Sequence, residues 1–321
     1  MKLFAGYDGG GTKTACVLAD ETGRLLGSGV GGPSNYLYCG KEIAAASIRE
    51  ATGQAFAAAG LEPAQLEAAY MASGAILIRH GESHLPFFSS CIDAKTVLCD
   101  SDLCPIWYAA VREAPAVVSI AGTGAVTYVC SPDELIRVSG WGPLVGDEGS
   151  GYDLGLHAVR LVMRMSDKRE PMEEDFVRTI FGNFGVETPR ELRRFLDQCG
   201  DQRSTVASVA KPVFALYERG SAAAKELLIR TADEIALAVS TAAKEGSADF
   251  YPVVFSGSLV RKESALIPML KERLLKPGTG ISEMLWPEVH PAAVSAALAL
   301  HAAGLDEAVD NLLKNAGEVL L

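Results

Sequence analysis

The sequence predicts an α/β fold of two similar lobes. Two observations carry that prediction: a strand, glycine turn, strand, turn, strand pattern occurs twice, more than a hundred residues apart, and helical stretches follow each copy. A third observation concerns function. Glycine-rich turns stand at residues 8–14, 121–124, 146–151 and 256–258. Glycine lets backbone N–H groups wrap an anion without interference from Cβ. Separate turns on strand ends, far apart in the chain, indicate two lobes that close on one polyphosphate. The expected chemistry is ATP-dependent phosphoryl transfer.

The elements follow in order. Residues 3–8 form an apolar strand that ends in the first glycine turn, and 14–19 and 25–30 follow across a turn at Asp20-Glu21-Thr22-Gly23. Such short spacing fits an antiparallel meander. Residues 31–35 are a loop. Residues 41–59 are alanine-rich with a helical period and stop at Gly60. Residues 68–71 and 95–99 read as buried strands, and 103–112 as a helix. The second copy runs through 116–120, the Gly122-Thr123-Gly124 turn, 125–130, a turn at Ser131-Pro132-Asp133, and 135–139. Residues 152–246 are mostly helical, with a charged loop at 166–174 and an alanine-rich helix core at 232–243. A strand at 251–255, a turn at Gly257-Ser258 and a helix over 263–275 follow. Residues 292–303 and 308–321 read as closing helices. The expected domains are an N-terminal lobe of 1–113, joined by the last helix at 305–321, and a C-terminal lobe of 114–304.

Bulk properties narrow the function. The chain has 321 residues, 49% of them apolar and 21% charged, with a net charge of −11. That charge argues against a nucleic-acid partner, which needs a basic face. It suits a small uncharged substrate and a Mg-complexed nucleotide. No apolar run approaches the roughly 18 residues that span a bilayer, and no basic, apolar leader opens the chain, so a cytoplasmic protein is expected. Seven cysteines contain no CxxC pair. They read as buried thiols of a reducing compartment rather than as a zinc or iron–sulfur site within one chain.

The chemistry lies in the turns. Asp8 stands at a strand end beside N–H donors, where a carboxylate can hold a hydrated Mg²⁺ against phosphates. Thr12 and Thr14 add hydroxyls and Lys13 a charge. The same residues also read as an ordinary hairpin turn. The turn is not a Walker A loop, since Thr12 occupies the lysine position, and no dinucleotide-binding GxGxxG opens a helix. Phosphorylating a hydroxyl needs a carboxylate within hydrogen-bond reach. Asp100-Ser101-Asp102, just past a buried strand, supplies two, and spacing alone leaves both open. Asp102 also reads as a helix cap. In the 140–151 loop, Trp141 offers an apolar face for a sugar ring and the carboxylates accept from sugar hydroxyls. The same loop also reads as a helix N-terminus complemented by acids. His80-Gly81-Glu82-Ser83-His84 lacks the spacing of a zinc deaminase or of HExxH and reads as a solvated loop.

Together these motifs resemble the N-acetylglucosamine kinase branch of the BadF/BadG/BcrA/BcrD ATPase family, within the sugar-kinase, heat-shock-chaperone and actin superfamily. The resemblance spans nearly the whole chain and keeps the motif order. It implies two ribonuclease-H-like (actin-like ATPase) lobes with a nucleotide cleft between them, ATP and Mg²⁺ as cofactors, a homodimer, and conversion of N-acetylglucosamine to its 6-phosphate. By resemblance, Asp8, Gly9, Gly10, Gly11, Thr12, Lys13 and Thr14 form the first phosphate loop, with Asp8 holding the metal through water. Gly122, Thr123 and Gly124 form the second, and Gly257 and Ser258 the nucleotide-side contact. Ser34, Asn35, Trp141, Gly142, Asp147 and Gly151 match sugar-binding positions, and Asp102 matches the catalytic aspartate. Leu103 and Cys104 depart from the small residues usual after that aspartate, Ala125 from a serine, and Asp153 from an aromatic. Those departures leave glucosamine and N-acetylmuramic acid as alternative substrates. An ATPase that activates a dehydratase or reductase would need cysteines grouped at a dimer face, and Cys199 is the only cysteine after Cys130. The length leaves no peptide-binding domain for a chaperone, and the CxCGxxGC zinc element of another bacterial sugar-kinase family is absent.

Overall fold

The computed structural model describes residues 1–77, 81–132 and 135–318. Their contacts divide the chain into two units. Unit 1 holds Met1–Ala114, Pro132–Leu135 and Pro287–Leu321, and unit 2 holds Pro115–Ser131 and Ile136–Trp286.

Unit 1 is built on a five-stranded sheet of β1 (Leu3–Gly9), β2 (Thr14–Asp20), β3 (Leu25–Gly31), β4 (Leu66–Ser73) and β5 (Ala94–Ser101), in the order β3-β2-β1-β4-β5. The meander β1–β2–β3 is antiparallel. β1, β4 and β5 run parallel, with Asp8, Ala72 and Asp100 in one row. Side chains alternate across a strand, so the two faces sort by residue. Phe4, Val17, Tyr70 and Ala72 pack with the Pro291–Ala302 helix. Tyr7, Leu18, Ala69 and Met71 pack with Ile48, Ala51 and Ala55 of the Lys41–Ala58 helix.

Gly6 sets the spacing on the first face. A Cβ there would fall inside the helix backbone around Ala292 and Ala296, so only glycine permits this approach. The helix answers with small residues: Ala292, Ala293, Ala296, Ala297 and Ala299 are all fully buried. This packing corrects the expected boundary. Residues 287–304, placed by sequence with the second lobe, belong to unit 1, because that helix finds its partner almost three hundred residues upstream in β1.

Unit 2 repeats the plan with β6 (Ala116–Ala121), β7 (Ala125–Cys130), β8 (Leu135–Arg137), β9 (Tyr251–Ser256) and β10 (Ile281–Leu285), ordered β10-β9-β6-β7-β8. β6 pairs antiparallel with β7 and parallel with β9, and β9 pairs parallel with β10. The two sheets share one strand order, and β6, β7, β9 and β10 pair in the same directions as β1, β2, β4 and β5. The Gly151–Ser166 and Ala222–Glu245 helices bury Leu154, Val162, Ala232 and Val239 in one core with Val117 and Val253 of that sheet. The alanine-rich 232–243 stretch is helix core, as its period implies.

All seven cysteines are free thiols. No cluster of His, Cys, Asp and Glu with metal-binding potential exists among the described residues. No described helix is long and apolar enough to cross a membrane.

Candidate active site

In unit 1 the carboxyl ends of the parallel strands gather the expected groups. The Gly10 N–H donates to the Lys13 carbonyl at 3.0 Å, closing the first turn as a tight hairpin. The carbonyl of Gly10 then accepts from the Ser34 and Asn35 N–H groups at 3.0 and 3.1 Å, and the carbonyl of Gly9 accepts from Gly74 at 3.0 Å. The turn is therefore stitched to the β3 loop and to the end of β4. Gly11, Thr12 and Lys13 are exposed. Thr14 is fully buried and donates to the Gly32 carbonyl at 2.8 Å, so its hydroxyl serves the sheet rather than the open side of the turn.

Gly74 marks the centre. An atom at its Cβ position would stand 3.0 Å from Asp102 Oδ2 and 3.6 Å from Asn35 Nδ2. Asn35 is 5% exposed, and its Oδ1 has no partner among the described residues, as is also true of Ser34 Oγ. Buried polar atoms are normally hydrogen-bonded, so these two face a place for a ligand. Asp102 heads the Leu103–Val111 helix without capping it. The capping reading fails, and the carboxylate turns toward Gly74 and Asn35 instead. Asp100 is 4% exposed and accepts the Ser101 N–H on Oδ1 at 2.9 Å.

The charges oppose one another. Burial, then the Asp102 charge, push Asp8 from 3.8 up to about 6, while Lys13 pulls it down. Burial raises Asp102, and hydrogen bonds from Ser101 and the helix start oppose it. Sequence reasoning missed His290, whose Nδ1 accepts the Ala292 N–H at 3.1 Å at the head of the Pro291–Ala302 helix. Burial and the Lys13 charge lower its pKa, which sets it close to the first turn. The His-Pro pair at a helix start was the available signal. His84 corrects the solvated-loop reading: its Nδ1 bonds the Tyr36 hydroxyl at 2.6 Å, and it heads the Leu85–Cys91 helix. His80 lies outside the described residues.

Unit 2 holds the second turn. The Gly122 N–H donates to the Gly124 carbonyl at 2.8 Å. The Gly122 and Thr123 carbonyls accept from Gly151 and Tyr152 at 2.7 and 3.1 Å. The turn thus grips the first residues of the Gly151–Ser166 helix, which Ser150 caps by accepting the Asp153 N–H at 3.0 Å. Asp153 replies by accepting the Gly149 N–H at 3.2 Å, which explains an acid at that position. Gly257, at φ +103, lies against the Ala121 backbone. Gly122, Thr123, Gly151 and Ser258 line one cavity of about 650 Å³. Lys211, Phe214, Arg261, Ser204 and Ser208 also line it. The first N–H groups of the Gly151–Ser166 helix are therefore engaged by the turn and by the Ser150 cap. Lys211 and Phe214 carried no sequence signal, since they sit in an unremarkable helical stretch that only folding brings to the turn. A separate hollow of about 710 Å³ around Phe181 and Val186 holds none of the glycine turns.

The 140–151 loop divides its expected ligands. Trp141 is 62% exposed, with the Arg137 guanidinium 4.5 Å from its ring centroid. Asp147 is 3% exposed; its Oδ1 accepts the Gly142 N–H at 3.2 Å and its Oδ2 pairs with Arg203 at 2.6 Å. The indole faces outward and the carboxylate inward.

A family model for the BadF/BadG/BcrA/BcrD ATPase family matches residues 5–299. The chain belongs to the BadF/BadG/BcrA/BcrD ATPase family. Among curated relatives, it is 25% identical over 253 residues to an N-acetylmuramic acid/N-acetylglucosamine kinase of Clostridium acetobutylicum, covering 74% of this chain and 78% of that one. It is 23% identical over 317 residues to an N-acetyl-D-glucosamine kinase of Dictyostelium discoideum, covering 94% and 98%. Solved structures share the fold. A proposed N-acetylglucosamine kinase from Chromobacterium violaceum superposes with a TM-score of 0.74 at 22% identity, over 94% of this chain and 99% of that one. A ROK family glucokinase from Streptomyces griseus, solved with glucose and AMPPNP, gives 0.59 at 15% identity over 93% and 99%. The duplicated sheet of this BadF/BadG family member is thus the two-lobed architecture of sugar kinases.

Proposed function

We propose that this family member is an ATP-dependent kinase of an amino sugar, with N-acetylglucosamine as substrate and its 6-phosphate as product. The observation that carries the reading is the convergence of Asp102 Oδ2 and the buried, underused Asn35 amide on the space at Gly74. A carboxylate and an amide at one point are what a sugar hydroxyl and its neighbour need. The first glycine turn is hydrogen-bonded to that same place. In unit 2, a cavity of about 650 Å³ beside the second turn has the size of a nucleoside site. The two curated relatives named above are kinases of amino sugars, which supports that class over neutral hexoses.

In this reading Asp102 accepts the proton of the acceptor hydroxyl. The hydroxyl oxygen bonds to the γ-phosphorus, the bond from that phosphorus to the β–γ bridging oxygen breaks, and ADP leaves. The raised pKa of Asp102 strengthens it as a base. The exposed residues Gly11, Thr12 and Lys13 of the first turn would neutralise charge on the transferring phosphoryl. The residues fit Mg²⁺: Asp8 and Asp102 repel one another with Lys13 as the opposing charge, and a divalent cation relieves such a pair. Asp8 would hold the metal through water, and when bound it supplies charge neutralisation to the phosphates.

ADP release with Mg-ATP, measured against N-acetylglucosamine, glucosamine, N-acetylmuramic acid, N-acetylmannosamine and glucose, tests the reading. Strong stimulation by one amino sugar is expected. Hydrolysis indifferent to every sugar overturns it in favour of an ATPase that serves a protein partner. Asp102→Asn should cut turnover by about 10²–10⁴-fold with nucleotide binding intact; undiminished turnover removes Asp102 from the role.

A further inference from the structure

Asp147 matches a sugar-binding position, yet its carboxylate is 3% exposed and engaged at both oxygens. Its partner, Arg203, belongs to the Gln202–Ala207 helix, a segment that no motif marks. Three features converge on the pair. The Gly142 N–H donates to Asp147 Oδ1, which ties the outward-facing Trp141 segment to the carboxylate. Arg203 bonds Oδ2 at 2.6 Å. Gly124, the last residue of the second glycine turn, makes room: a Cβ there would collide with the Arg203 guanidinium and stand 3.0 Å from Asp147 Oδ2. Asp147 itself has φ +59, a conformation that side chains adopt only when their surroundings hold them. The residue next to Arg203, Ser204, lines the cavity beside the second turn, as do Ala207 and Ser208 one turn further along.

We propose that Arg203 is a positioning residue that links the nucleotide cavity to the sugar loop. A nucleotide seated against Ser204 and Ser208 steadies the Gln202–Ala207 helix. Arg203 passes that restraint to Asp147, and Asp147 passes it to Gly142 and Trp141. The loop that meets the sugar is then shaped by nucleotide occupancy, and Asp147 acts as its anchor. This inference rests on the kinase reading for what the loop contacts, but the link itself is measurable without turnover.

The experiment follows acrylamide quenching of Trp141 during titration with Mg-ADP. Trp107 and Trp286 contribute a constant background, since each indole N–H bonds a backbone carbonyl, and Trp141→Phe defines it. In the wild type, Mg-ADP should lower the Trp141 quenching constant about twofold. Arg203→Met should abolish the response, and Arg203→Lys should recover part of it. In steady state, Arg203→Met should raise the amino-sugar KM about tenfold with kcat reduced less than about threefold. Adding it to Asp147→Asn should cost little more than either change alone, the mark of two residues acting as one unit. A wild-type response in Arg203→Met, or an unchanged sugar KM with lowered kcat, overturns the link. If Arg203→Met does not fold, Asp147→Asn carries the same test, because it keeps volume and removes the charge. Mg-ADP that does not bind the wild type refutes the kinase reading instead, which keeps the two failures distinct.

Discussion

Asp8→Asn should stabilise the nucleotide-free protein at neutral pH while removing its activity. Asp8 titrates at about 6 rather than 3.8, lifted by burial and by Asp102 and lowered by Lys13. A raised value means that the folded protein holds the proton more tightly than the unfolded chain. That stabilisation is complete below pH 3.8 and lost as pH rises through about 6. The difference of about 2 units corresponds to about 3 kcal/mol, of which about half is lost above pH 5. Asparagine keeps the shape, has no charge and loses nothing over that range. Urea unfolding of both proteins at pH 5 and pH 7.5 in EDTA should show the asparagine variant gaining on the wild type by about 1.5 kcal/mol across that interval. Saturating Mg-ADP should close the gap, because only the wild type gains from relieving the carboxyl pair. A gap that stays constant with pH, or that favours the wild type more at pH 7.5, refutes the claim that Asp8 stands charged beside Asp102.

Two further outcomes test the packing and the ligand assignment. Asn35→Ala should raise the amino-sugar KM about 10- to 100-fold, the loss of one or two buried hydrogen bonds, with the KM for ATP changed little in the same steady-state assay. Gly6→Ala should destabilise unit 1 by about 3 kcal/mol in chemical unfolding, because the added methyl meets helix backbone rather than a movable side chain.

The sequence disclosed the duplicated sheet because both copies announce themselves locally. Each has an apolar strand running into a glycine turn, and each turn lies where the strand ends in space. What stayed hidden depends on tertiary partners. β10 reads Ile-Ser-Glu-Met-Leu, two of whose five residues are polar and exposed, and it becomes a strand only because β9 offers a free edge. The Pro291–Ala302 helix is apolar all round, so its period names no face; Gly6 decides where it lies. Lys211, Phe214 and Arg203 occupy helices with ordinary amphipathic patterns, and their proximity to the second turn is a product of the fold. Sequence reading finds the glycine turn, but not the residues that line the cavity beside it.

Asp100 and Asp102 show the same division within three residues. Spacing treats them alike, since both follow one buried strand. The register separates them. Asp100 is still in β5, in the row of Asp8 and Ala72, where the sheet covers it. Asp102 is past the strand and free of the ladder. The Ser101 N–H already occupies Asp100 Oδ1. A carboxylate two residues on, at a helix start it does not cap, can face a ligand. Asp102 does so, 3.0 Å from the Cβ position of Gly74, where the Asn35 amide also arrives. The departure at Leu103 and Cys104 fits this arrangement. Both are buried, so their bulk is taken up by the core at the start of that helix.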